Sequence, residues 1–152
     1  LIIPYLGRES SWFAEGFASF MQYQVMMAMG VLSAEQADDR YLTRLDRARS
    51  NYPYEHTPFP DSAADLRASG RYPTMYWGGA AYFLQVDNQL STSHDTSLIE
   101  VLKRYLRCCR LNRKNLDQLV ADLDKVSNTL VFSATLREFR STPGFPDYEM
   151  LE

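Results

Sequence analysis

Apolar residues along the chain recur at helical spacing, and nowhere do they alternate long enough to make a sheet. The spacing predicts a helix over 11–29, with Phe13, Phe17, Phe20 and Met27 on one side. Ser10 or Ser11 is the expected N-cap, and Gly30 suits the left-handed position after its end. A second helix is expected over 34–50, opened by a capping box of Ser33 and Gln36, with Tyr41, Leu42, Leu45 and Ala48 inward. A short one follows over 62–69, capped by Asp61 or Ser62 and stopped by Gly70. The window 75–91 is apolar nearly all round, which predicts the central buried helix. Ser97 and Glu100 form another expected capping box, opening a helix to about 109. Further helices are expected over 115–126 and 130–140, the last capped by Thr129. The fold class is all-α, a bundle of about six helices in one domain over 1–152.

Between these windows the chain reads as punctuation. Residues 1–9 form an apolar lead-in broken by Pro4 and Gly7. Residues 51–61 carry three prolines and read as a loop, 71–74 as a turn, 91–96 as a polar turn, and 142–148 as an extended tail.

Composition changes this picture little. Hydrophobic residues are 45% and charged residues 23%, and the net charge is −3 without a basic block, so nucleic acid is not an expected partner. Glu15, Gln22 and Gln24 interrupt even the longest apolar run, so no membrane span is expected. Cys108 and Cys109 are adjacent, a poor geometry for pairing, and are expected to be reduced helix residues. Two free thiols favour a reducing compartment. The chain begins at Leu1 without a signal peptide, and is expected to be a piece of a longer protein.

Candidate chemistry centres on Glu15, a carboxylate among Trp12, Phe13 and Phe17. Those flanks predict burial, and a buried carboxylate needs a cation, a metal or a proton. An acid in a first helical turn also has the simpler role of complementing the helix dipole. Gly16 costs roughly 1 kcal/mol of helix propensity against alanine, which makes sense if a backbone or a bound group comes close. Gly78-Gly79 inside the 75–91 helix predicts a close helix approach in the same way. Tyr76 opens that helix and reads by itself as a core aromatic. His56 sits in the proline-rich loop and His94 in the polar turn; neither has metal-site spacing around it.

Trp12-Phe13-Ala14-Glu15-Gly16-Phe17-Ala18-Ser19-Phe20 resembles the W-x-x-E-G-[FL]-[AT]-x-[YF] segment of the gluzincin zinc metallopeptidases, which include the aminopeptidases and the glycyl-aminopeptidase-like group (family M61). Tyr76-Trp77-Gly78-Gly79-Ala80-Ala81 resembles their Y-x-K-G-A segment, with Gly78 where the family has lysine. Phe83 to Asp87 resembles an L-L-L-D segment, and Ser97-Leu98 with Val101-Leu102 an S-L-x-x-V-[ML] segment, both of the glycyl-aminopeptidase-like group. The likeness spans roughly residues 10–105.

The resemblance implies a C-terminal helical half of a peptidase catalytic domain. Glu15 would be the third protein ligand of a catalytic zinc, and Tyr76 would donate to the oxyanion of the tetrahedral intermediate, an effect worth roughly 3–4 kcal/mol for such donors. Zinc would activate water and polarise a peptide carbonyl. The other two ligands and the general base belong to an H-E-x-x-H helix, which these residues lack. In the family its second histidine precedes the glutamate by about 18 residues, so it would fall just before Leu1. The resemblance therefore implies a peptide substrate, an upstream H-E-x-x-H subdomain as partner, no zinc and no activity in 1–152 alone, and self-association through an apolar face left uncovered. A non-catalytic helical binding or scaffolding domain is the alternative.

Overall fold

The computed structural model describes residue 3, residues 6–109 and residues 114–152. Among them lie seven helices and no strand: α1 Ser11–Ala28, α2 Ala34–Ser50, α3 Phe59–Ala68, α4 Tyr72–Ser93, α5 Leu98–Cys108, α6 Leu116–Ser127 and α7 Val131–Ser141. The all-α class holds. The lead-in at Pro4 lies outside the described residues, but Leu6 is buried and Ile3 packs against the core. No described helix is long and apolar enough to cross a membrane.

Helix α4 is the axis of the fold, and its interface with antiparallel α1 is the most extensive in the molecule. It buries Met75, Trp77, Ala80 to Leu84, Val86 and Leu90. Trp12 sits at the centre of the core, stacked on Phe139 at 5.8 Å and edge-on to Phe13, Phe59 and Tyr82. Four helices thus meet on one indole, an arrangement that aromatic pairs favour by about 0.5–1.5 kcal/mol each beyond their burial.

Helix ends follow local chemistry. Gly30, at φ +74°, closes α1: its N–H bonds the Met27 carbonyl and Val31 N–H bonds that of Met26, the paired closure that a left-handed residue permits. Ser33 and Gln36 make the full capping box of α2, as Asn115 and Gln118 do for α6. At α5 only half of the expected box forms. Ser97 Oγ accepts from Glu100 N–H, while the Glu100 carboxylate turns to Lys103.

Two starts differ from the sequence expectation for one reason. Helix α3 begins at Phe59, not after Asp61, and α4 at Tyr72, not Met75, each with a proline in its first turn. Proline breaks a helix interior but lacks only an orphan N–H at the start, so Pro60 and Pro73 open helices here. Helix α4 also runs through Ser91 and Thr92, whose hydroxyls bond back to the Asn88 carbonyl.

Cys108 and Cys109 form a disulfide, where two reduced thiols are expected. On a continuing helix adjacent side chains diverge by about 100°. Here α5 ends at Cys108, and Cys109 leaves helical geometry at φ −137° and ψ 0°, which removes that divergence.

Candidate functional site

The residues singled out by sequence lie on the two helices that cross most closely. A Cβ built on Gly16 would stand 2.6 Å from Gly79 Cα, and one on Gly79 would stand 3.0 Å from Gly16 Cα. Both glycines are therefore required by backbone meeting backbone. Gly78 serves a different neighbour: its Cβ would meet the ring of Phe59, at 2.5 Å from Cζ. The two glycines of α4 thus seat two separate elements, α1 and α3.

Glu15 immediately precedes Gly16, and Tyr76 lies one turn before Gly79. In antiparallel helices with the glycines in register, these positions are offset by about four residues, roughly 6 Å along the axis. The crossing brings the two segments together. Glu15 lines a hollow of about 320 Å³ with Arg8 and Arg67, among others. The neighbouring hollow of about 590 Å³ shares Arg8, Ser11 and Arg67 and reaches Tyr72. Tyr76 lines neither, but its half-buried ring centres 6.3 Å from that of Tyr72.

Glu15 is exposed, where its neighbours in sequence predict burial. Trp12, Phe13, Gly16, Phe17, Phe20 and Tyr23 share the face toward α4, while Glu15 stands about 200° around the helix from both Phe13 and Phe17. It shares an outward stripe with Ala18, Gln22, Val25 and Met29, all exposed. It makes no hydrogen bond or ion pair with a described residue. It also lies in the second turn, because α1 starts at Ser11 after a short 3-10 turn at Arg8–Ser10. The helix-dipole role expected of a first-turn acid therefore weakens, since that effect fades beyond the first turn.

His56, in the turn before α3, and His94, at the end of α4, are both exposed. Among the described residues no three His, Cys, Asp or Glu side chains converge as metal ligands would. The donor set at Glu15 is one carboxylate, whereas zinc sites of this kind take three protein ligands. The described residues alone do not fit a zinc.

The buried polar groups of the core were not legible in the sequence. Asp124 is buried on α6, and its Oδ1 accepts from Phe132 N–H at 2.9 Å and Ser133 N–H at 3.3 Å, capping α7 from a neighbouring helix. Thr129 supports that start, its Oγ1 accepting from Val131 N–H. Asp87 does the same for α5, accepting from Leu98 N–H at 2.9 Å. Tyr82 donates to the Phe132 carbonyl at 2.8 Å. Burial holds the Tyr82 hydroxyl well above the usual tyrosine range, and the Asp124 charge adds to the shift. Burial likewise raises Tyr41, which donates to the Phe20 carbonyl, although the Gln24 hydrogen bond works against the shift. The nearest available signal was an acid standing shortly before a helix start, as Asp124 stands before 130–140.

No protein family, curated protein or solved structure matches the chain.

Proposed function

We propose that the chain is the C-terminal helical part of a gluzincin-type zinc metallopeptidase catalytic domain, contributing Glu15 as a zinc ligand and Tyr76 as an oxyanion donor. What supports the reading is the Gly16–Gly79 contact. Each glycine belongs to one of the two resembling segments, and their contact sets the helix of Glu15 against that of Tyr76. The exposure of Glu15 suits a ligand waiting for donors from outside these residues. Bound zinc would supply an activated water and a polarised carbonyl. This chain would hold the metal's third protein position at Glu15 and offer the Tyr76 hydroxyl to the developing oxyanion. The exposed stripe of Ala18, Gln22, Val25 and Met29 beside Glu15 is the face that an H-E-x-x-H helix would cover, and through which the chain alone would self-associate.

The test is metal analysis and a peptidase assay on residues 1–152 and on the chain extended upstream through an H-E-x-x-H helix. The short chain should hold no stoichiometric zinc and hydrolyse nothing. The extended chain should bind one zinc, lose it on Glu15→Gln, and keep it on Tyr76→Phe while kcat falls about 10²–10³-fold. Stoichiometric zinc in the short chain, or a folded, motif-bearing extended chain that stays metal-free, would refute the reading. A non-catalytic binding domain is the second reading, favoured by the absence of any partner for Glu15 among the described residues; it predicts that Glu15→Gln changes nothing in either chain.

A further inference from the structure

The hollow at the start of α4 has a composition that the peptidase reading does not use. It measures about 270 Å³ and is lined by Arg44, Arg47 and Asn51 from the end of α2, Arg71 and Thr74 from the start of α4, and Trp77 beneath. No carboxylate lines it. Three guanidiniums share one small space in a chain whose net charge is −3. Like charges so placed repel one another, and proteins ordinarily relieve this with acids. Here they do not: the ion pairs among the described residues are Lys103–Glu100, Lys114–Asp122 and Arg140–Asp117, all elsewhere.

One of the three is also held in place. Arg44 Nε donates to Tyr23 Oη at 3.2 Å, and its guanidinium lies 5.7 Å over the Trp77 ring, so it is fixed by stacking and by one bond. Arg47 donates no side-chain hydrogen bond to a described residue. Arg71 makes one, from Nη1 to Ser69 Oγ at 3.1 Å. Helix α4 contributes its own positive end. It has no side-chain cap and no acid in its first turn, as is also true of α1, and Pro73 leaves it one N–H fewer.

Thr74 adds a hydroxyl to the lining. The residue is 4% exposed, and its hydroxyl opens onto the hollow with no hydrogen bond to a described residue, so it is free to donate there.

We propose that this hollow binds the phosphate group of a small soluble phosphate ester. Guanidinium forks bind phosphate oxygens in pairs, and three forks, a hydroxyl and a helix N-terminus offer more donors than the two oxygens of a carboxylate can use. Arg44 and Arg47 also line an adjoining hollow of about 530 Å³ beside Tyr23, Leu32, Gln36, Asp39 and Arg40, which has room for the organic part. The proposal does not depend on the peptidase reading.

The test titrates residues 1–152, in phosphate-free buffer, with inorganic phosphate, phenyl phosphate and acetate, read by Trp fluorescence and phosphorus NMR. Both phosphates should saturate with a Kd of about 1 mM or tighter, phenyl phosphate at least as tightly as inorganic phosphate. Arg47→Gln and Arg71→Gln, on exposed side chains, should each weaken binding about tenfold. Thr74→Val should weaken it about threefold or more while the protein stays folded. Arg137→Gln, the same charge change on α7, should alter it less than about twofold. The proposal is overturned by phosphate that fails to saturate at about 50 mM, by acetate binding as tightly as phosphate, or by Arg137→Gln weakening binding as much as Arg47→Gln. Binding of inorganic phosphate without phenyl phosphate overturns the ester.

Discussion

Substituting Gly79 by alanine tests whether the α1–α4 crossing is as close as described. The added methyl would stand 3.0 Å from Gly16 Cα and nearer still to the Trp12 carbonyl oxygen, whereas ordinary contact begins at 3.4 Å. The obstacles are backbone atoms, so no side chain can turn aside. Relief requires the helices to part by roughly 1 Å, and a gap of that order forfeits a quarter to a half of the dispersion attraction across it. The interface carries Phe13–Phe83 at 4.8 Å, Phe13–Tyr82 at 5.0 Å and Phe17–Phe83 at 5.3 Å, each pair worth about 0.5–1.5 kcal/mol beyond burial. Overpacking of this kind costs about 1–3 kcal/mol before those partial losses are added. Alanine returns about 1 kcal/mol of helix propensity. The expected net loss is about 2 kcal/mol, or about 4–8 °C in Tm for a chain of this length. Thermal and urea unfolding followed by circular dichroism would measure it. Gly16→Ala should behave alike, and the double variant should lose less than the sum, because one separation relieves both clashes. A Gly79→Ala variant that melts higher than the parent would refute the close crossing, since propensity alone would then decide the outcome.

Asp124→Ala should cost about 2–3 kcal/mol by orphaning the Phe132 and Ser133 N–H groups, with faster amide exchange at both; a loss under about 0.5 kcal/mol would contradict the cap. Burial raises Tyr82 and Tyr41 above an unfolded value of about 10, so their stability contribution is intact below that pH and is lost as pH rises toward their folded values. Urea midpoints should therefore stay level to about pH 10 and then fall with tyrosinate absorbance; a decline complete by about pH 9 would exclude this cause. The intact protein should show no reactive thiol before reduction and two after it, with little change in Tm, because a link between neighbours closes almost no loop. Two thiols reacting without reductant would exclude the disulfide.

Much of the bundle was legible because helical spacing and end signals agreed. Gly30, and Ser33 with Gln36, act locally, and local chemistry is what a sequence displays. The glycines at 16 and 79 were legible as close-approach sites, though not as partners of each other. Pro60 and Pro73 misled, because a proline reads as a break wherever its position within the first turn is unknown. The exposure of Glu15 was hidden by the same one-dimensional view. Its aromatic neighbours in sequence lie on the far side of the helix. Asp124 and Asp87 were invisible as caps, since each serves a helix other than its own, and the arginine hollow needs α2 and α4 folded together before it exists.

The two borrowed caps bear on how this chain finds its fold. Asp87 reaches Leu98 and Asp124 reaches Phe132 across short stretches of chain, so each seam closes with little loss of loop entropy. The Gly16–Gly79 meeting joins points about 60 residues apart, at a closure penalty roughly 1.5 kcal/mol greater. The consequence is a division of folding labour. The α4–α5 and α6–α7 corners assemble as local units, and the long-range docking of α1 onto α4 carries most of the topological burden on the folding rate.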